Sequence, residues 1–80
     1  MNRIPVVSKA IKAVGYDPTL RHLEVEYHNG QLYRHYGVPQ RVHIKLVNAT
    51  SIGNYLNNAV KPFFEAVEIR NDSDTSESQT

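Results

Sequence analysis

Tyr33-Arg34-His35-Tyr36 sets three rings and a guanidinium in four consecutive positions. Single-stranded nucleic-acid binders lay bases on strand aromatics flanked by cations, each stack being worth about 1–3 kcal/mol. The same rings also fill a sheet face as packing, the commoner use of aromatic strand residues. A second cationic feature lies downstream, where Arg41 and Lys45 are spaced one helical turn apart. Like charges at that spacing repel by a few tenths of a kcal/mol in an isolated helix, and a phosphate held with help from Lys61 or Arg34 would relieve them. A solvated helix face explains such a pair more often.

His22, Glu24, Glu26 and His28 occupy alternate positions and so share one face of a strand. Alternate strand residues stand about 7 Å apart, too far for neighbours to share an ion at ~2.1 Å. We read them as a hydrated surface; no metal and no cofactor are expected. Ser51, Gly53, Tyr55 and Asn57 stand at the start of a helical pattern, where free N–H groups welcome phosphate. They read equally well as a cap, with Ser51 satisfying the turn, Gly53 allowing close approach to the sheet and Tyr55 in the core. Gly53 at the second helical position costs about 1 kcal/mol, which asks for a geometric reason. Catalysis has little to build on: there is no Cys nucleophile, no Gly-x-Ser-x-Gly elbow, no phosphate-cradling Gly-rich loop and no His-Glu-x-x-His. The chain is not expected to be an enzyme.

Eighty residues make one domain, and a chain this short buries only about 60% of the surface it exposes unfolded. Without cysteine it has no disulfides and no thiolate ligands, which fits a reducing cytoplasm. The opening apolar patch is interrupted by Pro5 and followed by Lys9 and Lys12, too short for a signal peptide or a membrane span. The net charge of +1 hides an asymmetry: residues 1–70 carry nine Lys or Arg against five Asp or Glu, giving +4, and residues 71–80 carry three acids, giving −3. A mildly basic body permits a polyanion partner without demanding one.

Residues 1–8 read as a loosely ordered leader, 9–69 as the folded domain and 70–80 as a disordered acidic tail that could compete with a polyanion. A first strand is expected over residues 11–16, ending at Asp17-Pro18. A second runs from His22 to Tyr27, where Leu23, Val25 and Tyr27 alternate with polar residues. Asn29-Gly30 closes a hairpin into residues 31–36. A two-residue loop would pair Val25 with Arg34 and bury a guanidinium. A three-residue loop with a left-handed Gly30 instead groups Tyr33 and His35 with Val25 and Tyr27, and sets Arg34 outside beside Glu24 and Glu26; this second register is expected. Pro39 suits the first position of a helix reaching about Asn48, with Val42, Leu46 and Val47 toward the sheet and Arg41 and Lys45 outward. Ile52, Tyr55, Leu56, Ala59 and Val60 then mark a second helix capped by Ser51 and stopped before Pro62. Residues 63–69 return as a short strand or an extended closing segment. The expected fold is α+β, a small antiparallel sheet of three to four strands packed on one face by two short helices.

Gly15-Tyr16-Asp17, Leu23-Glu24-Val25-Glu26-Tyr27, Gly30, Tyr33, Gly37-Val38-Pro39 and Ser51-x-Gly53-x-Tyr55-x-Asn57, in that order and spacing, resemble the KTSC domain. This small module is named for its place at the C-terminus of some lysyl-tRNA synthetases and is also found alone in bacterial and phage proteins. The resemblance covers residues 8–64. The family's central Tyr-x-Tyr falls on Tyr33 and on position 35, which is His35 here. Such domains have no established activity, and their company suggests RNA binding. The expected function is a non-enzymatic module contacting RNA or single-stranded nucleic acid through Arg34, Tyr36, Arg41 and Lys45, the partner suggested in part by the resemblance and the residues by their charge and placement. Alternatives are a protein partner or second copy met along an open strand edge or the Tyr36 face, and a nucleotide-like ligand held by Ser51, Gly53 and Asn57.

Overall fold

The structure is a computed structural model that describes residues 2–69. Its strands are β1 (Arg3–Pro5), β2 (Ile11–Asp17), β3 (His22–Tyr27), β4 (Leu32–His35) and β5 (Ala66–Glu68). They form one antiparallel sheet in chain order, five strands where three to four were expected. β1 is the addition, whereas β5 falls within the 63–69 segment expected as a short strand or an extended closing stretch. Each edge strand has three exposed residues, and β1 carries no alternating pattern to announce it. Arg3–Pro5, within the stretch expected as a leader, pairs with residues 13–15 of β2. The tail expected over residues 70–80 lies outside the described residues.

Between β4 and β5 the chain makes α1 (Gln40–Val47), α2 (Ile52–Tyr55) and a π-helical turn, Leu56–Val60, that continues α2. Ser51 caps α2 as expected, its hydroxyl accepting from the Asn54 N–H at 3.3 Å. Ile52, Leu56 and Val60 are buried in one row four residues apart. They meet Val14, Leu23 and Val25 from the sheet and Leu46 from α1, and this layer is the core. Tyr16 locks α1 down: its ring stacks on His43 at 4.7 Å and its hydroxyl donates to the Val38 carbonyl at 2.6 Å.

Three local expectations are corrected. Pro39 precedes the helix, its ψ of 153° still extended, rather than opening it. Val47 is exposed; Val42 and Leu46 face inward with His43, because Val47 lies a further 100° around the helix from Leu46. Gly53 makes no close approach, since a Cβ there would meet open space.

The β3–β4 register is the three-residue-loop one, with Gly30 at φ 94° and Glu24 opposite Arg34, Val25 opposite Tyr33 and Leu23 opposite His35. On the face away from the helices, Arg3, Gly15, Glu24 and Arg34 line up across four strands. Gly15 has no side chain to stand in the way, so Arg3 reaches over it to Glu24 Oε1 at 2.9 Å. Arg34 takes Glu24 Oε2 through Nη2 at 2.7 Å and Nε at 3.0 Å. Glu24, expected on a hydrated surface, is instead only 5% exposed beneath the two guanidiniums. Its burial is tolerable because both oxygens are engaged.

On the helix side, His35 is 1% exposed and neither ring nitrogen has a hydrogen-bond partner among the described residues. Burial above all, and Lys61 in addition, pull its pKa below the ordinary imidazole value of 6.5, against an opposing pull from the Phe64 backbone. Burial lowers His43 as well.

Two outcomes follow from these opposed groups. Glu24→Ala strands two arginines over the sheet and lowers stability by about 1–3 kcal/mol in urea unfolding, the partial exposure of both arginines keeping the loss below that of a fully buried pair. For the histidines, the unfolded chain takes up protons near pH 6.5 while the folded chain resists, so stability is full above that pH and falls as pH drops toward the lowered folded value. His35→Leu removes one of the two resisting groups, and its urea midpoint therefore changes less between about pH 7.5 and about pH 5 than that of the native chain.

Candidate functional site

The residues singled out for nucleic-acid contact do not form one surface. Arg34 lies on the open sheet face, held by Glu24, and that carboxylate first and the nearby Tyr36 hydroxyl second push its guanidinium above the ordinary range. A guanidinium already gripped at 2.7 Å is not free for phosphate. Tyr36 is half-buried against His22, edge to face at 4.8 Å. Arg41 and Lys45 are exposed on α1, which packs over the opposite face of the sheet. Among the described residues neither has a carboxylate partner, whereas Arg3, Lys12 and Arg34 are all paired.

Ser51, Gly53 and Asn57 do come together. With Ser8, Lys9 and Asn54 they line a shallow depression beside the segment that leads into β2. Ser51 spends its hydroxyl on the cap, so the depression offers a ligand little that is both buried and unpaired. No group of three or more His, Asp or Glu side chains among the described residues is placed to hold a metal ion. His28 uses its Nε2 at 3.0 Å from the Ser8 carbonyl oxygen instead.

A half-open cavity of about 470 Å³ lies on the helix side, beyond the end of the π-turn. Tyr27, Tyr33 and His35 line it from the sheet, and Lys61, Phe64 and Glu65 from the segment returning to β5. Register builds the sheet side, because β3 and β4 present Tyr27, Tyr33 and His35 on the helix face. The two phenols meet edge to face at 5.9 Å. Lys61 Nζ stands 5.8 Å from the centre of the Tyr27 ring, close enough for cation–π attraction. Burial first, then Tyr33, pushes the Tyr27 phenol up, so its hydroxyl stays a donor. His35 lies behind these walls, its ring nitrogens sealed from solvent and the Phe64 backbone beside them. Sequence reasoning grouped Tyr27, Tyr33 and His35 on one face but missed Lys61, Phe64 and Glu65. Pro62, ending the helix, was the available signal, since a chain reversing there must bring its neighbours back over the sheet.

The chain was compared with known proteins. The KTSC domain model matches residues 7–64. An uncharacterised protein of Stutzerimonas stutzeri is 40% identical over 78% of this chain and 87% of its own length, and a protein of Tsukamurella paurometabola is 43% identical over 81% and 97%. A stretch amounting to 10% of a lysine–tRNA ligase of Nostoc sp. is 38% identical over 69% of this chain. Among solved structures, a KTSC domain protein from Yersinia pestis superposes with a TM-score of 0.81 at 36% identity, covering 86% of this chain and 97% of its own. Sequence motifs, five-stranded sheet and relatives agree, and the chain belongs to the KTSC domain family.

Proposed function

We propose that this chain is a non-enzymatic binding module of the cytoplasm that contacts RNA or another single-stranded nucleic acid through the outer side of α1. The observation that carries this reading is the contrast among its cations. Arg3, Lys12 and Arg34 face carboxylates, while among the exposed cations with none in the described residues, Lys9, Arg21, Arg41, Lys45 and Lys61, only Arg41 and Lys45 stand one turn apart on a helix. Two like charges left unneutralised on one helix face favour an anion between them. The stretch of similar sequence within a lysine–tRNA ligase supports the same reading. Arg34 is assigned to the Glu24 bridge and Tyr36 to the packing against His22, so neither is needed for contact.

A second reading, contact with another protein or a second copy along β5, is favoured by Phe63 at 72% and Val67 at 47% exposure beside that edge strand. In it the chain sediments as a dimer, and Val67→Lys returns it to the monomer; a monomer at every concentration removes it.

For the nucleic-acid reading, fluorescence anisotropy with a labelled single-stranded RNA is the direct measure. Two phosphate contacts make affinity fall about sevenfold between 50 and 200 mM salt, and R41E with K45E abolishes binding. Salt-independent binding, or full affinity in the double variant, overturns it.

A further inference from the structure

The two edges of the sheet are built differently. On β1 the Val6 N–H donates to the Lys12 carbonyl, which marks the even-numbered residues as those bonded to β2 and turns the backbone groups of Arg3 and Pro5 outward. Pro5 has no N–H to offer, and a proline on an edge strand blocks further pairing. On β5 the Tyr36 N–H donates to the Glu65 carbonyl and the Ile69 N–H to the Leu32 carbonyl. The odd-numbered residues therefore serve β4, and Ala66 and Glu68 direct their N–H and C=O groups away from the sheet. Nothing among the described residues pairs with those groups. The strand holds no proline or lysine to blunt it, and Phe63 and Val67 stand exposed beside it.

An edge that offers a donor and an acceptor at each of two alternate residues is matched by the same edge turned about a two-fold axis. Centring the pair on Glu68 would set that carboxylate against its own copy, like charge directly opposite like. Centring it on Ala66 would pair Glu68 with position 64, which lies in the bend before the strand. Centring it on Val67 pairs Ala66 with Glu68 of the second copy on both sides of the axis, satisfies every outward group of the strand, and sets Val67 against Val67.

Charge favours the same register. Ala66 lies opposite His35 on the helix side and lines the cavity together with Lys61. Glu68 of the second copy, directly across from Ala66, therefore arrives at the Lys61 side of that cavity. Lys61 and Glu68 are both exposed, and neither has an ion partner among the described residues.

We infer that a second copy of this chain adds to β5 about a two-fold axis at Val67, an inference that rests on the β5 reading above and gives it a partner, a register and an ion pair. The product is one continuous antiparallel sheet of ten strands, five from each copy, with Glu68 of each copy paired to Lys61 of the other. A three-residue strand buries little area, so the dimer is weak and is read best by trapping it.

The chain has no cysteine, so single cysteines report the register. Facing residues at a non-hydrogen-bonded position stand about 4.5 Å apart at Cα, within disulfide reach, whereas positions 66 and 68 each lie more than ~8 Å from their own copies. Under mild oxidation of the full chain, Val67→Cys forms a disulfide dimer at least about tenfold faster than Ala66→Cys or Glu68→Cys. In sedimentation equilibrium Lys61→Glu and Glu68→Lys each weaken the dimer roughly tenfold, and the two together restore it. A monomer at every concentration up to about 1 mM removes the second copy from β5 and this inference with it. A dimer that links fastest through position 66 or 68, or at equal rates through all three, leaves the β5 contact standing and overturns the register. A double variant no tighter than the single ones overturns the Lys61–Glu68 pairing in the same way. If β5 serves a strand of another protein instead, the chain alone stays monomeric and Val67→Cys links no faster than the other two.

Discussion

The reversal between β3 and β4 passes through Gly30 in the left-handed region, and this backbone state decides what each residue of β4 faces. Side chains alternate along a strand, so a loop one residue shorter would exchange the faces of Tyr33 and His35 with those of Leu32 and Arg34. With the observed loop, Arg34 sits opposite Glu24 and His35 opposite Leu23. The ion bridge on one side of the sheet and the aromatic cavity on the other are both products of that register. A residue with a Cβ at position 30 would strain the turn on which both depend.

The two faces treat buried polarity in opposite ways. Glu24 is as hidden as a core residue, yet its two oxygens receive three N–H groups from Arg3 and Arg34. That carboxylate stitches β1, β3 and β4 together across the open face, where no helix covers them. His35 is equally hidden and unpartnered among the described residues, a state that costs about 1–3 kcal/mol. A small domain has little stability to spare, so the penalty marks position 35 as one where a leucine would serve the core better. Departures of this kind concentrate at functional sites, where local rules give way to a requirement from outside the fold.

What was legible in the sequence was what has a period or a turn residue. Leu23, Val25 and Tyr27 announced β3 by alternation, Asn29-Gly30 its hairpin, and Ser51 with Ile52, Leu56 and Val60 the second helical segment. Three-residue strands at the sheet edges have neither signal, which is why β1 was read as a loose leader and β5 was left open between a short strand and an extended segment. The wrapping of Glu24 was also hidden, because Arg3 comes from 21 residues away and pairs only once β1 has formed. Arg41 and Lys45 stand exposed on α1 as their outward placement was read, whereas on β4 the same register that keeps Arg34 out of the core also delivers it to a carboxylate.

The position of the cavity gives the family motif a physical reading. The pattern of the family has two tyrosines where this chain has Tyr33 and His35, and both positions line the cavity. An imidazole is shorter than a phenol, so the exchange removes bulk at position 35 and replaces a hydroxyl with a ring that both donates and accepts. Residue 35 thus sits sealed behind the cavity, while Tyr33 and Tyr27, held edge to face, make its aromatic wall. The Glu24 bridge on the far side ties β1, β3 and β4 together independently of the residue at position 35.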